Sequence, residues 1–189
     1  MEENKIHTGI ERDDEAAKLG MWIFIFTELL LFGGLFLVYS IFRAEYPAEF
    51  RQAALELNVT IGTLNTIVLL VSSMTVAMAL TALQRGNTKL CLQLLRITLL
   101  LAFVFLLNKY FEWGAKFHHG IYPGSPLMLK LEHGHLLYFS LYFFMTGLHA
   151  LHILVGMIIL FFVFVKIRKG KVHQHKYVFM ENGALYWHL

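Results

Sequence analysis

Four long apolar runs divide the chain, at residues 19–42, 62–83, 90–113 and 136–167, with polar or charged stretches between them. Each is long enough to cross a hydrocarbon core of about 30 Å at about 1.5 Å per residue. The pattern therefore predicts four membrane-spanning helices. The last run is longer than a bilayer needs, which predicts tilt or projection past the headgroups. Another apolar stretch opens near Ala184 and stops at Leu189, and reads as the start of a fifth span. Residues 1–18 read as a polar, mostly acidic, solvated tail, and residues 19–189 as the bundle. Residues 48–58, after Pro47, suit a short interfacial helix. Residues 84–89 read as a tight basic turn, and Pro123-Gly124-Ser125-Pro126 as a turn cluster. The predicted fold class is all-α, a polytopic transmembrane helix bundle of four spans plus the start of a fifth, with no separate soluble domain.

Composition agrees with the pattern. The 189 residues are 57% hydrophobic and 15% charged, with a mean hydropathy of +0.58. A soluble domain carries about 25% charged residues. The single Cys91 excludes an intrachain disulfide and a cysteine-built metal cluster within this chain. The net charge of +3 comes from loops rather than from a basic patch, so nucleic acid is not an expected partner. Residues 1–18 lack a short apolar core followed by a small-residue cleavage site, so no cleavable signal peptide is predicted. Ten basic residues (Lys5, Arg12, Lys18, Arg85, Lys89, Lys166, Arg168, Lys169, Lys171, Lys176) fall on one side of the spans. Five (Arg43, Arg51, Lys109, Lys116, Lys130) fall on the other. The richer side is predicted to be cytoplasmic, with the N-terminus inside.

Three titratable residues stand deep inside these runs: Glu28, His149 and His152. Glu28 lies roughly 14 Å along its helix from Leu19. His149 and His152 are three apart, hence on one face a turn apart. Ionisable groups at such depth are functional candidates. One reading is an intramembrane polar cluster that locks the first span against the fourth. A second is a membrane metal-dependent oxidoreductase, because two histidines and a carboxylate form the ligand set of many non-haem iron centres. A haem clamped by histidines of two helices is hard to build, since only the fourth span has histidines at depth. A proton relay would need a polar ladder that Thr27 and Ser40 alone do not supply. A transporter would need broken helices or repeats, and these spans are continuous and unrelated. Asn65, Ser72, Ser73 and Thr146 are candidate helix-packing polar residues. Glu112-Trp113 reads as an interfacial anchor beside Asn108, Lys109 and Tyr110. His118, His119, His133, His135, His173 and His175 are expected in loops.

Five stretches, in order, resemble the subunit III family of haem-copper terminal oxidases. Lys18-Leu19-Gly20-Met21-Trp22-Ile23-Phe24-Ile25-Phe26-Thr27-Glu28 is similar to that family's glutamate-bearing helix. Asn65-Thr66 to Leu70 with Ser72-Ser73 resembles its next helix, and Phe111-Glu112-Trp113 its aromatic-Glu-aromatic exit. Thr146-Gly147-Leu148-His149-Ala150-Leu151-His152-Ile153-Leu154-Val155-Gly156 is the most specific match. Tyr186-Trp187-His188 resembles the opening of the family's last helix. Two departures stand out. Long members have two further N-terminal helices, which form a lipid-filled cleft with the rest of the bundle. The sequence also stops where the last helix would begin, so the natural protein is expected to continue.

The resemblance implies a non-redox subunit of an oxidase complex, with no catalytic centre of its own. Haem and copper would reside in the large catalytic subunit I, on which this chain would pack beside other oxidase subunits. It would stabilise that subunit during turnover and support proton uptake. It implies a bacterial cytoplasmic (inner) membrane location, membrane lipids as partners, and a bound phospholipid rather than a metal or redox cofactor. It also maps the family's intramembrane glutamate onto Glu28 and its paired histidines onto His149 and His152. The subunit-III-like accessory protein of some nitric oxide reductases shares the short form, and these motifs do not separate the two.

Overall fold

The structure is a computed structural model that describes residues 2–118, 120, 122, 124–126, 128 and 132–189, with side chains from Asp14 onward. The charged side chains expected in the 1–13 stretch, and His119, Pro123 and Lys130, lie outside the described residues. Six helices follow one another: α1 (Glu2–Glu45), α2 (Pro47–Leu55), α3 (Val59–Gln84), α4 (Thr88–His118), α5 (His133–Arg168) and α6 (Val178–His188). An isolated bridge pairs His173 with Lys176. Among the described residues four helices are long and apolar enough to cross a membrane, and they are α1 from Asp14, α3, α4 and α5. The fold is an all-α, multi-pass membrane bundle.

Local chemistry explains where the helices start and stop. Pro47 opens α2, a position where its missing N–H costs nothing. Asn58 Oδ1 accepts the N–H of Ile61 at 3.2 Å and caps α3. Asn87 Oδ1 does the same for Leu90 at 3.1 Å and caps α4. Gly86 ends α3 at φ +77° and Gly170 ends α5 at φ +69°. In each case the glycine and its successor donate back to the last turn, Gly86 to Leu83 and Asn87 to Ala82, Gly170 to Ile167 and Lys171 to Lys166. This paired closure needs a left-handed residue, which glycine adopts without strain.

The helices outrun the apolar runs. His118 is the last residue of α4, and His133 and His135 open α5, rather than lying in loops. A helix keeps its backbone bonds satisfied on its way out of hydrocarbon, so hydropathy marks the membrane and not the helix end. Helix α6 is already formed at Val178, six residues before Ala184.

The chain packs as two compact units, one of residues 1–30, 72–99 and 155–189 and one of residues 31–71 and 100–154. In the first, Val76, Ala79 and Leu83 of α3 meet Leu95 of α4, Leu160 and Val163 of α5, and Met180 and Ala184 of α6. The alanines let helices approach closely, which is how helices associate where lipid offers no hydrophobic drive. In the second, Phe50 and Ala53 of α2 pack with Tyr138 and Phe139 of α5. Along α1 the half-buried positions are Asp14, Lys18, Met21, Ile25, Glu28, Phe32, Leu35, Tyr39 and Phe42. Their spacing alternates four and three, a seam with a mean period of 3.5 residues, as in left-handed helix pairs. Glu28 is on this seam and so is turned away from the lipid face.

Candidate functional site

A buried polar assembly lies in the second unit, on α4 and α5. Lys109, Glu112 and Lys116 fall at i, i+3 and i+7 and share one face of α4. Lys109 Nζ donates to Glu112 Oε2 at 3.0 Å, with both side chains 15% exposed. Tyr142 of α5 donates its hydroxyl to Glu112 Oε1. Lys109 Nζ also lies 5.3 Å from the Tyr142 ring centre. Lys116, only 8% exposed, sits 5.4 Å from the ring centres of both Phe139 and Tyr142. One carboxylate thus uses both oxygens, and two ammonium groups, half-buried Lys109 and buried Lys116, lie against the ring of the tyrosine that donates to it. Beside it, Asn108 of α4 donates to Asn65 Oδ1 of α3 at 2.9 Å.

Sequence reasoning missed this assembly. It took Glu112 as an interfacial anchor and Lys109 as part of a collar, because the apolar run ends at Trp113. Since α4 continues to His118, these residues stay within packed helix. The spacing of Lys109, Glu112 and Lys116 was the available signal. Nothing in the apolar stretch around Tyr142 marked it as their partner.

In the first unit the polar contacts fasten α6. Trp187 Nε1 donates to Ser72 Oγ at 3.2 Å, and Ser73 Oγ hydrogen-bonds His188 Nδ1. Thr75 and Thr98 share a hydroxyl bond of 2.8 Å between α3 and α4. Lys18 pairs with Glu181 at 2.9 Å; partly exposed, that pair contributes little. Thr146, a candidate helix-packing residue, donates to the Tyr142 carbonyl of its own helix at 2.6 Å.

The residues singled out for chemistry fall in different units. Glu28 belongs to the first, where its carboxylate acts electrostatically on the Tyr186 hydroxyl. His149 and His152 belong to the second. There the Phe32 ring stands nearly perpendicular to both imidazoles, its centre 6.4 Å from that of His149 and 6.1 Å from that of His152, and Phe105 meets His149 at 5.9 Å. Among the described residues no three His, Cys, Asp or Glu side chains gather as they would around a metal ion. The iron-type ligand set therefore gains no support.

The sequence profile of the family described as cytochrome c oxidase subunit III matches residues 6–189. The chain belongs to the cytochrome c oxidase subunit III family. It is 32% identical over 157 residues to the heme-copper oxidase subunit I+III of Aeropyrum pernix, which covers 80% of this chain and 18% of that one. It is 28% identical over 172 residues to cytochrome c oxidase subunit 3 of Corynebacterium diphtheriae, covering 90% and 79%. It is 28% identical over 180 residues to the probable quinol oxidase subunit 3 of Staphylococcus aureus (strain USA300), covering 93% and 83%. The chain thus spans under a fifth of the Aeropyrum relative but most of the other two. The subunit III match takes in both the seam of α1 and the Lys109–Glu112–Tyr142 assembly.

Proposed function

We propose that this chain is the non-redox subunit III of an aerobic haem-copper terminal oxidase in a bacterial cytoplasmic membrane, with its N-terminus inside. It packs on the large catalytic subunit, which holds the haems and copper. It stabilises that subunit during turnover and supports its proton uptake. The observation that carries this reading is the family match along almost the entire chain. The Aeropyrum relative, whose name joins subunits I and III, supports the choice of neighbour. Relatives named as oxidases favour an oxygen-reducing host over a nitric oxide reductase. Helix α1 suits such a neighbour physically. No residue of its most apolar stretch is fully buried, and Trp22, Phe26, Leu30 and Leu37 are each more than half exposed.

Purification of the full chain from its own membranes tests the proposal. A large haem-bearing subunit should co-purify, with copper and an oxidase-type spectrum. Stoichiometric iron on this chain, with no haem-bearing companion, would overturn it. For Glu28→Gln the amide keeps the shape and hydrogen-bonding capacity on the α1 seam. The complex should assemble with an unchanged haem spectrum, and oxygen consumption should stay within about twofold of wild type, since helix packing survives an isosteric change. A much larger fall in an intact complex would instead assign Glu28 to proton transfer.

A further inference from the structure

The first unit holds a pocket of about 340 Å³, within the size range of small-ligand sites. Three lysines line it, Lys166, Lys171 and Lys176, against one carboxylate, Asp14. Lys166 belongs to the last turn of α5, and Lys171 and Lys176 to the connection that leads into α6. Phe179 and Asn182 of α6 form another wall; three apart, they share one face of that helix. Among the described residues no ion pair within 4 Å joins any of the three lysines to a carboxylate. The neighbouring Glu181 is taken by Lys18. Three ammonium groups against one carboxylate leave an excess of positive charge in one small space, which calls for an anion.

Position decides the kind of anion. Asp14 precedes the apolar run that opens at Leu19, and Lys171 and Lys176 follow the end of α5 at Arg168. The described lining residues all fall outside residues 19–165, at the ends of the spans rather than along them, so an acyl chain would have no wall to follow. The α6 wall adds two features. The Phe179 ring is 39% exposed. Lys166 Nζ covers one of its faces, 3.6 Å from the ring centre, and the rest of the ring is open to stacking by a flat base. Asn182 Nδ2 donates to the Ala17 carbonyl at 3.3 Å, which fixes the amide, while its Oδ1 is shielded from water and has no hydrogen-bond partner among the described residues. A shielded acceptor without a donor is costly, and the amino group of a bound base would satisfy it.

We propose that this pocket binds an adenine nucleotide with two or more phosphates, its phosphates on Lys171 and Lys176, its base against Phe179 with the amino group on Asn182 Oδ1, and a ribose hydroxyl on Asp14. Lysine binds phosphate as a point charge, so two lysines on a flexible connection suit a chain of phosphates. In the orientation proposed above, the pocket opens to the cytoplasm, where such nucleotides are dissolved. It rests on that reading only for the side of the membrane; the binding itself does not depend on it.

The test is photolabelling of the detergent-purified assembly containing the full chain with 8-azido-ADP, followed by mapping of the label. The label should fall on residues 177–189 of this chain. ADP should displace it at a concentration at least tenfold below that needed for AMP, inorganic phosphate or inosine diphosphate, which lacks the amino group. Lys171→Gln with Lys176→Gln, both at exposed positions, should cut the labelling at least tenfold. Asn182→Ala should bring ADP and inosine diphosphate to within about threefold. Label confined to other chains, equal displacement by ADP and AMP, or undiminished labelling of the double lysine variant would overturn the proposal. So would displacement by dioleoyl-phosphatidylglycerol as effective as that by ADP, which would make the lysines a lipid-headgroup contact. Any of these results, in an assembly that still carries its haem-bearing companion, would leave the subunit III reading standing.

Discussion

Replacing Glu112 with leucine is expected to cost about 3–5 kcal/mol, the scale seen when one member of a buried ion pair is removed. The carboxylate accepts from Lys109 and Tyr142, and Lys116 lies over the same tyrosine ring. Without it, two ammonium groups stay close to one aromatic ring, at 5.3 Å and 5.4 Å from its centre, and Lys109 loses its paired carboxylate. Two graded variants separate the contributions. Tyr142→Phe removes one hydroxyl but leaves Glu112 paired with Lys109, so its cost should fall to about 1–2 kcal/mol. Glu112→Gln keeps an acceptor for Tyr142 and loses only the charge, so it should lie between the two. Thermal unfolding of the full chain in mild detergent, followed by the loss of helical signal, orders the three variants. A Glu112→Leu protein as stable as wild type would show that water or lipid already screens these charges.

That assembly also shows how far a sequence can be read. The spans were legible because lipid imposes a length and an apolarity that no soluble helix matches, and five ordered motifs were enough to indicate the family. Glu28 was legible as a lone charge in an apolar run. Its place on the inward seam follows from a 3.5-residue period that hydropathy hides, because in α1 the seam positions Met21, Ile25, Phe32 and Leu35 are as apolar as the exposed positions beside them. Asn65 and Ser72 stood out as polar residues inside a span, but their partners did not. Asn108 sat in what read as an interfacial collar, and Trp187 in a stretch read as the start of another span. Lys109, Glu112 and Tyr142 were illegible for a sharper reason. Composition marks where a helix leaves hydrocarbon, whereas burial depends on which neighbour covers it, and here α5 covers the last turns of α4.

Gly156→Val is expected to detach α6. A Cβ at Gly156 would lie 2.9 Å from Trp187 Cε3, 3.2 Å from Cζ3 and 3.2 Å from Tyr186 Cε1. Both nearest atoms belong to a rigid indole, and the indole is tethered, since its Nε1 donates to buried Ser72 at 3.2 Å. The ring therefore moves only by giving up that bond, and the adjoining bond of Ser73 to His188 is carried on the same short helix. Overpacking of this kind costs about 1–3 kcal/mol, less the roughly 0.2–0.5 kcal/mol by which β-branched valine exceeds glycine in helix propensity. The loss should be local. Trypsin cleavage at Lys171 or Lys176, in the connection between α5 and α6, should rise tenfold or more while the global unfolding temperature barely moves. Ser72→Ala supplies the control. By releasing the indole it gives the ring room to yield, so Gly156→Ala combined with Ser72→Ala should cost less than the sum of the two alone, as coupled neighbours do. Strict additivity would mean that the glycine and the serine hold α6 independently, and the tethered-ring account would then fail.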